Sequence, residues 1–226
     1  MYKRIEQSLA KKGLRILNYF QVSKEDSLPE IEGESDERVL LLIGNAGSSI
    51  WPSFIKSAEY LDNLPDPMDR WSRRIANNLS QQYGGYAVFP FDGPPYHPFV
   101  SWANKGNMSS ISTLGLAIHS KYGLWHAYRF ALVLPGSKLE LPEFNRRQNP
   151  CINCFQPCLS TCPVNAFTGT DYRYLDCVNY LSQNADCECN SSGCTARRAC
   201  PEAISYQYIP EQAQFHMRVF VESHSS

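Results

Sequence analysis

Cys151-Ile-Asn-Cys154-Phe-Gln-Pro157-Cys158-Leu-Ser-Thr-Cys162-Pro163 is a run of four thiols spaced C-x2-C-x3-C-x3-C and closed by a proline. Spacings this short let one tight loop aim three side chains at a single point, and the proline turns the chain away after the fourth. A second, less regular series follows: Cys177, then Cys187-Glu-Cys189-Asn-Ser-Ser-Gly-Cys194-Thr-Ala-Arg-Arg-Ala-Cys200-Pro201. The closing Cys200-Pro201 repeats the closing Cys162-Pro163, an internal symmetry. All 9 cysteines lie between Cys151 and Cys200, so the chain is not stapled throughout its length.

Three chemistries use cysteines in such runs. The first run is one residue longer than the bacterial ferredoxin spacing C-x2-C-x2-C-x3-C-P, in which the fourth cysteine serves the other cluster. On that reading Cys151, Cys154, Cys158 and Cys200 hold one 4Fe–4S cluster. Cys162 and three of Cys177, Cys187, Cys189 and Cys194 hold a second, leaving one thiol spare. A structural zinc site needs four ligands and leaves five cysteines unused. Disulfides require an oxidising compartment. The N-terminal MYKRIEQSLAKKGLRIL scatters charge and has no continuous apolar stretch of the kind a signal peptide needs. Iron–sulfur clusters in a reducing compartment, the cytoplasm, are therefore the expectation.

A chain of 226 residues that is 43% hydrophobic and 12% aromatic can bury a proper core. A net charge of −1 gives no argument for nucleic acid or an anionic membrane surface, and no apolar run is long enough to span a bilayer.

Ahead of the cysteines the pattern mixes helix and strand. Ile5 and Leu9 stand four apart in a short amphipathic helix over 1–12, and 14–22 reads as a strand. Residues 23–37 are acidic and read as an exposed loop. Arg38-Val-Leu-Leu-Leu-Ile43 is the continuous apolar run of a strand buried on both faces. Gly44-Asn-Ala-Gly-Ser48 follows it, and then a helix over about 50–61. These glycines complete neither a dinucleotide fingerprint nor a Walker loop, and a tight turn explains them. Asp66 is placed to cap a helix with Pro67 at its first position and Met68, Trp71, Ile75 and Leu79 on one face. Arg70, Arg73 and Arg74 form its solvated side. A strand over 86–91, a proline-fixed loop containing His97, a short helix over 98–105, and paired strands over 114–118 and 124–134 complete the region. A helix over 172–182 carries Cys177, and another over 210–222 ends the chain with Ala213, Met217 and Phe220 on one side.

Ala117-Ile-His119-Ser-Lys-Tyr-Gly-Leu-Trp125-His-Ala-Tyr-Arg129-Phe-Ala-Leu-Val-Leu-Pro-Gly136 resembles the IHP-x-[FY]-G-x-W-[FH]-A-x-R-x-x-x-x-LPG stretch of the cobalamin-processing CblC-type proteins. Ser120 stands where that family often has proline. Residues 41–61 and Asp66-Pro-Met-Asp69 are similar to the strand, helix and Asp-Pro-x-Asp segment of the same family. A CblC-like domain ahead of a dicluster ferredoxin is also the order in epoxyqueuosine reductase and the reductive dehalogenases. The resemblance implies an α+β fold: a flavin-reductase or CblC-like sheet with flanking helices over 1–138, a linker over 139–149, a ferredoxin-like iron–sulfur module over 150–208 and a terminal helix over 209–226. It also implies that His119, Trp125, His126, Tyr128 and Arg129 line a corrinoid, with FMN as the alternative cofactor. Beside these roles, Trp125 and Tyr128 suit a strand core, Arg129 a carboxylate partner and His119 a turn cap. The leading function is a corrinoid-dependent iron–sulfur oxidoreductase fed single electrons by a redox partner protein. The alternatives are a ferredoxin-type electron carrier and a cobalamin-binding chaperone. No Ser/His/Asp or Cys/His constellation suggests a hydrolase.

Overall fold

The computed structural model describes residues 1–26, 28, 29, 37–136, 140–143 and 147–224. Most of the acidic segment expected to form a loop, over 30–36, and residues 137–139 and 144–146 of the expected linker lie outside the described residues.

The fold is built around β2 (Arg38–Ala46), in which every residue from Val39 to Ala46 is buried. A strand covered on both faces has no use for alternation, which is why RVLLLI is continuous. Leu40, Leu41, Leu42 and Ile43 are fully enclosed, each contributing about 1.5–3 kcal/mol of apolar burial. β2 lies between β1 (Leu14–Gln21) and β6 (His126–Pro135), antiparallel to both, and β3 (Tyr86–Val88) extends the sheet beyond β6 in the order β1-β2-β6-β3. The mixed α+β, antiparallel character expected from the sequence is thus present.

Helices cover this sheet. α1 (Tyr2–Ala10) buries Ile5 and Leu9 against β1. The stretch expected as one helix over 50–61 is two short ones, α2 (Trp51–Phe54) and α3 (Ala58–Leu61). Ser57 breaks them: its backbone is extended (φ −77°, ψ 154°), and its Oγ accepts a hydrogen bond from Tyr60 N at 3.3 Å, capping α3. α4 (Pro67–Tyr83) buries Met68, Trp71, Ile75, Ala76 and Leu79, the spacing legible in the sequence, and packs on β6 and β3. Asp66 occupies the N-cap position, but in a left-handed conformation (φ 53°) without a side-chain cap bond. The expected solvated face of α4 is exposed at Arg73 and Arg74 and is also ion-paired: Arg70 with Asp62 at 2.7 Å, Arg74 with Glu59, and Arg73 with Asp92. α5 (Phe99–Lys105) buries Trp102, whose Nε1 donates to Asp26 O at 3.1 Å.

Gly44 does not open a phosphate loop. It is a β2 residue at which a Cβ would lie 1.9 Å from Ala127 O, so glycine is what permits the close approach of β6.

The chain forms two compact units: residues 1–109 with 126–147, and residues 110–125 with 148–226. The second unit holds α6 (Tyr174–Gln183), α7 (Glu188–Ser192), α8 (Thr195–Arg198) and α9 (Pro210–Glu222). Its core joins Leu114, Ile118 and Leu124 to Cys158, Cys162, Ala166, Ala196 and Cys200. α9 packs on α7 and α6; its buried residues are Gln212, Ala213 and Phe215, so of the expected face Ala213 is buried and Met217 and Phe220 are half-buried. The paired strands expected over 114–118 and 124–134 are not partners. β5 (Ala117–His119) pairs with β4 (Ser109–Ile111), whereas β6 belongs to the main sheet. The tight turn of Lys121 to Gly123 gives a single bridge between His119 and Gly123 before the strand begins. Among the described residues no helix is long and apolar enough to cross a membrane.

Candidate functional site

The nine thiols are all unbridged and all fall in the second unit. The loop of the first run is held by its own backbone and polar groups. Asn149 Oδ1 accepts from Cys151 N at 3.0 Å, and Gln156 N donates to Cys154 Sγ at 3.3 Å. Gln156 adopts a left-handed conformation (φ 53°) ahead of the short 3-10 turn Pro157–Leu159 that delivers Cys158. Cys162 Sγ accepts from Ala166 N at 3.3 Å.

Their mutual influence sorts the thiols into two sets. Burial pushes Cys158 up, and Cys151 and Cys154 add to it. Burial likewise pushes Cys200 up, with Cys151 and Cys158 adding to it. Cys177 is raised by burial against the lowering effect of Tyr172, with Cys162, Cys189 and Cys187 adding to it. Cys194 is pushed up to about 11 by burial, with Cys189 and Cys177 as its charged neighbours. The sets are therefore Cys151, Cys154, Cys158 and Cys200, and Cys162, Cys177, Cys187, Cys189 and Cys194. Among the described residues no three His, Cys, Asp or Glu side chains converge tightly enough to hold a single metal ion.

Arg197 and Arg198, adjacent in sequence to the second set, are both engaged. Arg198 Nη2 lies 2.7 Å from Glu188 Oε1. Arg197 Nε donates to Leu124 O at 3.0 Å, and its guanidinium lies over the rings of Trp125 and Tyr208, 5.1 and 4.6 Å from their centroids. Trp125 is 3% exposed, and its Nε1 has no partner among the described residues.

The first unit carries a different group. β6 holds one residue more than β2 between the pairs Ile43↔Phe130 and Gly44↔Tyr128, and that extra residue is Arg129. Such a bulge re-aims a side chain: Arg129 Nε donates to the buried Asn45 Oδ1 at 3.2 Å. Asp69, on the first turn of α4, is raised by desolvation, which outweighs the lowering influence of Arg129. Tyr128 has its ring 5.1 Å from His126 and its hydroxyl 3.1 Å from Ser109 Oγ. Burial pushes that phenol up.

The five motif residues are divided between the two units. His119 and Trp125 belong to the second unit, and His126, Tyr128 and Arg129 to the first. His119 is buried, and its Nδ1 accepts from Lys121 N at 3.0 Å, so it caps its turn. His126 is also buried, whereas Tyr128 and Arg129 are half-buried. His97 stacks on Trp102 at 5.6 Å. Asn45 and Asp69 are not among the site residues legible in the sequence. Their signal was weak, an Asn ending a buried strand and the second Asp of Asp-Pro-Met-Asp.

No family model matches the sequence, and no curated protein matches it. Among solved structures, the chain is similar to the crystal structure of CblC, a B12-trafficking protein of C. elegans described as a human MMACHC homologue. The TM-score is 0.52 at 15% identity, over 97% of this chain and 91% of that one. At that identity the likeness is one of fold: the antiparallel sheet with flanking helices is of the CblC kind.

Proposed function

We propose that this protein binds a corrinoid on its sheet-bearing unit, as a carrier or chaperone, and holds two 4Fe–4S clusters on its cysteine-rich unit that supply it with single electrons. The observation that carries the cluster reading is the sorting of nine unbridged thiols into a set of four and a set of five. Thiolates of a cubane each ligate a different iron, so they stand farther apart than the ligands of one ion. A set of four and a set of five supply ligands for two cubanes, whereas a single zinc tetrad leaves five thiols over.

The residues fit the role. Cys151, Cys154, Cys158 and Cys200 would hold the first cluster, and Cys162 with members of the second set the other. The amides of Gln156 and Ala166 donate to Cys154 and Cys162, and hydrogen bonds to ligand sulfur spread thiolate charge and raise the potential. When bound, each cluster exchanges one electron at a time. The free thiols suit a reducing compartment such as the cytoplasm, and a redox partner protein would be the donor.

The corrinoid reading is supported by the fold likeness and by the half-buried Arg129, Tyr128 and Asp69. These offer donors and acceptors to the amide-bearing rim of a corrin ring. An electron carrier without corrinoid is the second reading; it needs only the nine unbridged thiols of the cysteine-rich unit.

The test is anaerobic reconstitution with iron and sulfide, then titration with cob(II)alamin followed by electron paramagnetic resonance. Two clusters per chain and a stoichiometric base-off signal are expected. Clusters without any corrinoid signal establish the carrier reading, and FMN binding instead would make the first unit a flavin site. Failure to incorporate iron and sulfide overturns the cluster proposal.

A further inference from the structure

The second thiol set has five members, and a cubane takes four. We infer that Cys162, Cys177, Cys189 and Cys194 are the ligands of the second cluster and that Cys187 is the thiol left out. This inference rests on the iron–sulfur reading above.

Three of the four are tied together by one hydroxyl. Thr195 Oγ1 donates to Thr161 O at 3.0 Å and lies 3.6 Å from Cys189 Sγ. Thr161 immediately precedes Cys162, and Cys194 immediately precedes Thr195 as the N-cap of α8. A single side chain therefore fixes the backbone that carries two of these cysteines and touches the sulfur of a third. The fourth comes from α6: Cys177 packs against the same core that contains Cys162 and borders Cys194.

Cys187 is placed differently. It is the N-cap of α7, in an extended conformation (φ −66°, ψ 154°), two residues before the buried Cys189. Residues two apart around a helix start do not share a face. Asn190 anchors α7 to the end of α6 through Leu181 O at 3.0 Å and Asn184 O at 3.1 Å, which holds this arrangement in place. Cys187 is half-exposed. It belongs neither to the thiol-lined core nor to the Thr195 bridge.

The experiment uses the anaerobically reconstituted full chain. It is treated with iodoacetamide without denaturant, and the alkylated cysteines are located by mass spectrometry while iron and sulfide are counted. About one alkyl group per chain, at Cys187, is expected, with the cluster content of two cubanes unchanged, because ligation protects the other thiols. Cys187→Ser is expected to keep that full content, and Cys189→Ser to lose half of it. Full iron with the alkyl group on Cys177, Cys189 or Cys194, or with none incorporated, overturns this assignment alone. Loss of half the iron in Cys187→Ser does the same. A wild-type chain that takes up no iron and sulfide refutes the underlying cluster reading instead.

Discussion

Replacing Gly44 by alanine probes the central strand directly. An added Cβ would meet Ala127 O at 1.9 Å, Ala127 C at 2.8 Å and Leu17 Cδ1 at 2.8 Å. The first two are backbone atoms, so no rotamer change relieves them. β6 must retreat by more than 1 Å to reach ordinary contact, and the ladder around Gly44↔Tyr128 and Asn45↔Ala127 opens. Two ladder bonds at about 1 kcal/mol each and an overpacking cost of about 1–3 kcal/mol give a loss of about 3–5 kcal/mol. With a urea dependence of about 2–3 kcal/mol per molar, the midpoint falls by about 1–2.5 M. Trp51, Trp71 and Trp102 all lie in the first unit, so tryptophan fluorescence reports mainly on it. Gly84→Ala is the control. Its Cβ meets nothing within 4 Å, and only the positive φ of 72° is penalised, at about 1–2 kcal/mol. If Gly44→Ala unfolds at no lower urea than Gly84→Ala, the close packing of β2 on β6 is not what requires a glycine.

Other outcomes follow from the charged and thiol groups. Asp26 is 7% exposed; burial raises its carboxyl, but Lys105 Nζ at 2.6 Å and Ser23 hold it below the usual range. A depressed carboxyl stabilises above its unfolded value of about 3.9 and loses that as pH falls through the folded value. Asp26→Asn should therefore cost about 2 kcal/mol at pH 7 and converge with wild type in strong acid, as read by urea unfolding across pH. Asp69 has the opposite sign: its raised carboxyl is penalised above the unfolded value, so Asp69→Asn should be the more stable chain at pH 7 and indistinguishable near pH 3. Cys200→Ser should lose half the iron and sulfide of the reconstituted chain, measured by elemental and sulfide analysis, and a full content would remove Cys200 from the first set. Thr195→Val removes the hydroxyl bridge to Thr161 and should leave the second cluster more easily bleached by oxygen, followed by visible absorbance.

Much of the architecture is legible from local pattern. The continuous RVLLLI run, the Ile5–Leu9 pair and the Met68–Trp71–Ile75–Leu79 spacing are periodicities that burial alone dictates, and the structure keeps each of them. The thiol runs are equally legible, because short spacing constrains loop geometry. The misread elements depend on distant contacts. Whether 114–118 pairs with 124–134 or with Ser109–Ile111 is decided by the competition of β2 for β6, which no local window contains. The extra residue at Arg129 is invisible in HAYRF because a bulge is defined only against its partner strand. The solvated face of Arg70, Arg73 and Arg74 is legible, but not their ion pairs, because the partner carboxylates lie outside their own helix.

The order in which the chain visits its two units limits how it can be divided. Leu114, Ile118 and Leu124 come before β6 in sequence yet pack with Cys158, Cys162 and Cys200. A fragment ending at Arg147 would carry those three apolar side chains with nothing from the cysteine segment to cover them. A fragment beginning at Gln148 would lack part of its own core. The cysteine segment is therefore no detachable tail that can be moved intact to another chain. Whatever it carries, it acquires its complete wall only when synthesised in continuity with the sheet that precedes it.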